Sequence, residues 1–105
     1  MLTIKDTEKE IAVNIGDTLE IELERAGSTG YDWHLDEAYR EYLLLLSVDD
    51  RQKKTRKGVL GAPMLKKWRL QAIKRGEGDI IIRLYRYWEG REKTASTFSV
   101  NLKIK

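Results

Sequence analysis

Leu19-Glu20-Ile21-Glu22-Leu23-Glu24 alternates apolar and acidic residues without a break. A period of two puts the three apolar side chains on one face of an extended strand and the three carboxylates on the other. A helix would scatter the same residues around its circumference, so the segment reads as a strand with one buried and one wet face. The pattern recurs along the chain. Ile11, Val13 and Ile15 form a stripe ending at the turn Asn14-Ile15-Gly16-Asp17, and Tyr31, Trp33 and Leu35 continue after a Gly-Ser-Thr-Gly loop. Trp68, Leu70 and Ala72 precede Gly76-Glu77-Gly78, which reads as a hairpin. Ile80, Ile82 and Leu84 follow, and Phe98, Val100, Leu102 and Ile104 close the chain.

One polar face per strand implies antiparallel sheets covered on one side only, and two such sheets packed face to face make a sandwich. The predicted fold is all-β, an immunoglobulin-like antiparallel β-sandwich, with one short helix at 36–42. Leu43-Leu44-Leu45-Leu46 suits a buried strand or a helix equally by period, and the β character elsewhere favours a strand. Trp33 falls where immunoglobulin-like domains bury a tryptophan, so it is assigned to the core together with Tyr31. Pro63 sits between strands, where a missing backbone donor does no harm. The stretch 49–59 reads as the longest loop, mobile from Arg51 to Val59 because little in it is apolar. No repeat or linker interrupts the chain, so residues 1–105 are expected to form one domain.

Composition narrows the chemistry. The 105 residues include no cysteine, which excludes disulfides, thiolate metal sites and a cysteine nucleophile. No apolar run approaches the roughly 20 residues of a membrane span. Met1-Leu2-Thr3-Ile4-Lys5 lacks the apolar stretch of a signal peptide, so the expected location is the cytoplasm, or outside the cell with an export signal already removed. His34 is the single histidine and alternation turns it to the polar face. A Ser-His-Asp arrangement would have to pair it with Ser28, Ser47, Ser96 or Ser99, and no strained nucleophile turn is present. Asp49 and Asp50 would point to opposite faces of a strand, and Gly76-Glu77-Gly78 lacks the strand–glycine–helix setting of a phosphate loop. The chain is therefore expected to be no enzyme, with no metal and no cofactor.

The net charge of +3 conceals an asymmetry. Residues 1–50 carry four Lys/Arg against thirteen Asp/Glu, a balance of −9, whereas 51–75 carry ten Lys/Arg and no acid. That basic segment, 51–75, supports an alternative function as an adhesion or nucleic-acid-binding module. Trp68 lies among Lys66, Lys67 and Arg69, but alternation turns it inward, away from any base.

Three loops carry a different signal. Gly27-Ser28-Thr29-Gly30 is small and free in φ/ψ, able to enter a narrow cleft, and its hydroxyls and backbone groups offer hydrogen bonds. Leu60-Gly61-Ala62 is an apolar tripeptide suited to an extended contact with a partner. Arg86-Tyr87-Trp88-Glu89-Gly90 puts hot-spot residue types where a core has little use for tryptophan. A sandwich brings alternate loops to one end, so the loops around Thr29, Ala62 and Trp88 are expected together.

From about Gly16 onward the chain resembles the chagasin family, inhibitors of papain-like cysteine proteases. The family's Asn-Pro-Thr-Thr-Gly-aromatic loop is matched by Ala26-Gly27-Ser28-Thr29-Gly30-Tyr31, with Trp33 two residues on. Its Leu-Gly-Ala-Gly-Gly-like stretch is matched by Leu60-Gly61-Ala62-Pro63-Met64, and its Arg-Pro-Trp-x-Gly by Arg86-Tyr87-Trp88-Glu89-Gly90. The departures are Ala26-Gly27 for Asn-Pro, Pro63-Met64 for Gly-Gly, and Tyr87 for proline; losing the first proline loosens the central loop. The resemblance implies a monomeric, reversible, non-covalent inhibitor that occludes a protease cleft with loops 26–31, 60–64 and 86–91. The implied protease-binding residues are Gly27, Ser28, Thr29, Gly30, Leu60, Gly61, Ala62, Arg86, Trp88 and Gly90.

Overall fold

Alternating residues become strands because a period of two buries one side of an extended backbone. The computed structural model describes residues 2–4, 9–25, 30–52 and 64–105. In chain order the described strands are β1 (Leu2–Ile4), β2 (Glu10–Val13), β3 (Thr18–Arg25), β4 (Asp32–Leu35), β5 (Leu43–Gln52), β6 (Met64–Ala72), β7 (Gly76–Tyr85) and β8 (Ser96–Ile104). Two four-stranded sheets result, in the orders β1-β3-β6-β5 and β2-β8-β7-β4. The long strands pair antiparallel, as expected from the sequence. Two short edge strands differ, since β1 runs parallel to β3 and β2 parallel to β8.

The sheets enclose the apolar stripes. Leu19, Ile21, Leu70 and Ile82 have no exposed surface, and Ile80, Val100 and Ala72 have almost none. Trp33, Trp68, Phe98, Leu102 and Ile104 belong to the same cluster. Each fully buried aliphatic or aromatic side chain contributes about 1.5–3 kcal/mol, which makes this interior the main source of stability.

Several local readings change in three dimensions. Gly76-Glu77-Gly78 is no hairpin: it opens β7, which lies in the opposite sheet from β6, so residues 73–75 carry the chain across the sandwich. Its glycines serve another purpose. The Tyr42 ring lies on the backbone of both; a Cβ at Gly76 would overlap it, and one at Gly78 would press on it closely enough to shift it by a few tenths of an ångström. The turn at Asn14 forms, with Asp17 N donating to Asn14 O at 3.0 Å. It lifts Ile15 out of the stripe, leaving it half exposed. The expected helix at 36–42 is a 3-10 helix, Glu37–Glu41, capped by Asp36 Oδ1 accepting from Ala38 N at 3.2 Å.

In β5, Leu43 is buried whereas Leu44 and Leu46 are exposed, with a bulge between Leu45 and Ser47. The strand continues through Gln52, so Asp49 to Gln52 pair with β6 and are no loop. The rest of the expected mobile stretch, 53–59, lies outside the described residues.

Candidate functional site

The strand ends that flank the three motif segments lie at one end of the sandwich. Arg25, the last residue of β3, faces Met64 at the start of β6, and Met64 faces Gln52 at the end of β5. In the other sheet, Asp32 at the start of β4 faces Tyr85 at the end of β7, and Leu84 faces Ser96 at the start of β8.

An ion network ties these ends across the sheets. Arg25 Nη2 lies 2.7 Å from Asp50 Oδ2, and Arg25 Nε lies 3.2 Å from Asp32 Oδ1. Lys66 Nζ donates to Asp32 Oδ2 at 2.9 Å and to Trp33 O at 3.2 Å. Both cation side chains are mostly withdrawn from water, at 14% and 15% exposure, so their attraction is less screened than at an open surface. Trp33 Nε1 donates to Glu24 O at 3.1 Å, giving the core indole its polar partner.

Of the implied contact residues, Gly30, Arg86, Trp88 and Gly90 are described. Gly27, Ser28, Thr29, Leu60, Gly61 and Ala62 lie outside the described residues. The 86–90 segment folds as a tight turn, with Arg86 O accepting from Glu89 N at 3.0 Å and Gly90 N at 3.2 Å. The Arg86 guanidinium stands 4.4 Å from the centre of the Tyr31 ring and 5.9 Å from the Trp88 ring, within cation–π range of both. Its Nη1 also donates to Glu89 Oε1 at 3.3 Å. Trp88 lies on the backbone of Gly30, which joins the 86–90 turn to the end of the Gly-Ser-Thr-Gly segment. The indole nevertheless remains 59% exposed. Tyr31, expected in the core, is instead half-buried beneath Arg86, because it precedes β4, whose pairing with β7 begins only at Asp32 opposite Tyr85.

Elsewhere, charge is spent internally. Glu20, expected on a wet face, is buried between cations: Lys67 Nζ lies 3.1 Å from its Oε1 and Arg69 Nη2 3.3 Å from its Oε2. Burial raises its carboxyl pKa, but hydrogen bonds and charge from Lys67 and Arg69 outweigh that and hold it below the usual range. Lys67 also reaches Glu22 at 3.5 Å. The acidic stripe of β3 thus neutralises the basic stripe of β6, and Trp68 is buried.

His34 stacks on Tyr85 with ring centres 4.0 Å apart, and its Nε2 donates to Tyr85 O at 3.2 Å. Beside it Asp36 accepts from Arg83 at 2.7 Å and Arg91 at 3.3 Å. The Arg83 hydrogen bond, followed by that from Ala38 N, keeps the Asp36 carboxyl below its ordinary range. Tyr87, which lies within the 86–90 motif but is not among the implied contact residues, is the most exposed large hydrophobic among the described residues at 78%.

A two-sheet sandwich of this kind, with eight strands among the described residues, is an immunoglobulin-like module. The chain belongs to the chagasin family: the sequence profile described as Chagasin family peptidase inhibitor I42 matches residues 12–102. Comparison with curated protein sequences finds no match. Among solved structures, the cysteine protease inhibitor EhICP2 from Entamoeba histolytica superposes with a TM-score of 0.87 at 19% identity, covering 99% of this chain and 95% of its own. Amebosin, known from a solution structure, gives 0.76 at 21% identity, with 99% and 97% covered. PbICP-C, solved in complex with falcipain-2, gives 0.65 at 17% identity, with both chains covered in full at 100%. At these identities the likeness is one of fold.

Proposed function

We propose that this chain, as one inhibitor unit over residues 1–105, reversibly blocks the active-site cleft of papain-like cysteine proteases. Loops 26–31, 60–64 and 86–91 form the contact, with Gly27, Ser28, Thr29 and Gly30 entering the cleft. Leu60, Gly61 and Ala62 flank them on one side, and Arg86, Trp88 and Gly90 on the other. The observation that carries this reading is the exposed Trp88 indole resting on Gly30. A ring left in water yet held against a neighbouring loop is pre-organised for a partner, which lowers the ordering cost of association.

Family membership supports the same reading, as do the fold's likeness to EhICP2, a cysteine protease inhibitor, and to PbICP-C, solved in complex with falcipain-2. Inhibition is by occlusion, so the chain needs no chemistry of its own, and His34 is engaged with Tyr85. The internal pairing of Lys66, Lys67 and Arg69 weighs against phosphate binding by the basic segment.

The test is a steady-state assay with a papain-like protease and a peptide substrate. The expected result is competitive, reversible inhibition below about micromolar concentration, with intact inhibitor recovered afterwards. No inhibition of any papain-like protease at that level would overturn the proposal.

A further inference from the structure

Tyr87 and Trp88 are the two most exposed large hydrophobic residues among those described, at 78% and 59%. They are adjacent in sequence and yet in contact. Their rings meet edge to face, with centres 5.0 Å apart and planes at 89°. The turn closed by Arg86 O makes this possible, because it holds both side chains on the outside of a tight bend. The remaining exposed apolar residues are distributed elsewhere: Ile15 and Ile73 beside the opposite strand ends, and Leu44, Leu46 and Val48 along β5.

We propose that Tyr87 is a second aromatic anchor, contacting the apolar wall of the protease beside the place occupied by Trp88, and a determinant of which proteases this chain inhibits. The inference rests on the inhibitor reading above. It goes beyond that reading because the family pattern has a proline at this position, with neither a large ring nor a hydroxyl to offer. A ring this exposed contributes little to the folded monomer, whereas burying it against an apolar surface removes a large apolar area from water. Packed edge to face, Tyr87 and Trp88 form one wedge wider than either ring, and a wider wedge discriminates between cleft rims of different shape.

The experiment compares inhibition constants of wild type, Tyr87→Ala, Tyr87→Phe, Tyr87→Pro and the control Ile73→Ala against several papain-like proteases, with melting temperatures recorded for each. Tyr87→Ala is expected to weaken inhibition of at least one protease about tenfold or more, with an unchanged melting temperature. Tyr87→Phe keeps the ring and stays within about threefold of wild type, a difference worth under 1 kcal/mol. Tyr87→Pro behaves like Tyr87→Ala, and Ile73→Ala matches wild type. In a Trp88→Leu background Tyr87→Ala still weakens binding, which separates direct contact from support of the indole.

Wild type that inhibits, with Tyr87→Ala equal to it on every protease, overturns this inference alone. So does a Tyr87→Ala effect that vanishes in the Trp88→Leu background, or a loss in Tyr87→Phe as large as in Tyr87→Ala. Wild type that inhibits nothing overturns the inhibitor reading itself.

Discussion

The Trp88 indole lies so close to the backbone of Gly30 that a methyl group on Gly30 would overlap its Cη2 atom. Gly30 also has φ +80°, where an L-residue is strained. Both features demand glycine, one for conformation and one for space. Gly30→Ala is therefore expected to cost about 1–2 kcal/mol in backbone strain and to displace the indole. Three tryptophans report on this. Trp33 and Trp68 are buried, so a change in quencher-accessible fluorescence belongs to Trp88. Unchanged quenching and unchanged melting temperature in Gly30→Ala would contradict the contact.

Trp88 and Trp33 separate binding from stability. Trp33→Ala empties a core position hydrogen-bonded to Glu24 O and is expected to destabilise by about 3–5 kcal/mol. Trp88→Ala removes a mostly exposed ring. It is expected to leave the denaturation midpoint nearly unchanged while costing about 2–4 kcal/mol in protease binding. Urea denaturation beside the inhibition assay checks both, and full inhibition by Trp88→Ala would count against the assigned contact.

Arg25 joins β3 to β4 and β5 through Asp32 and Asp50, at the base of segment 26–31. Arg25→Met keeps the apolar stem and removes the charge. The expected loss is about 1–2 kcal/mol, in line with charge-assisted hydrogen bonds of partly buried groups. Asp32 retains Lys66, which limits the damage. Weaker inhibition should accompany the loss, since the segment is then less firmly held. A stability equal to wild type would show the network to be energetically neutral.

Asp36 makes stability pH-dependent. Its folded pKa lies below the ordinary value of 3.8, chiefly because Arg83 donates to it. On acidification the unfolded chain takes up this proton first, so the contribution is complete well above 3.8 and is lost as pH falls through the folded value. Glu20, also lowered, acts in the same direction from its ordinary value of 4.5. Unfolding free energy should therefore fall as the pH is lowered past the ordinary values of 4.5 and 3.8 toward the lower folded ones. Asp36→Asn should be less stable than wild type at pH 7 and show a shallower acid limb. An identical limb would exclude Asp36 as a contributor.

Alternation alone says which residues face inward along most strands. Leu19, Ile21 and Leu23, Trp68, Leu70 and Ala72, and Phe98, Val100, Leu102 and Ile104 are all buried where alternation put them. A period of two is a local property, readable from neighbours in the chain. The short helix before β5 and the turn at Asn14 were legible for the same reason, each being written in a few adjacent residues. The motifs that gave the family were likewise local.

Which strands meet depends on contacts between residues far apart in the chain. Gly76 and Gly78 carry the composition of a hairpin, yet they serve the close approach of Tyr42 across the sandwich. Ten uncompensated positive charges in 51–75 suggested an external partner, yet Glu20, Glu22 and Asp32 neutralise the three cations Lys66, Lys67 and Arg69 of β6. Tyr31 moved from the core to a place under Arg86, some 55 residues along the chain. In each case the deciding partner is remote in sequence. Alternation specifies a face for each side chain, but it carries no information on which strand will cover that face.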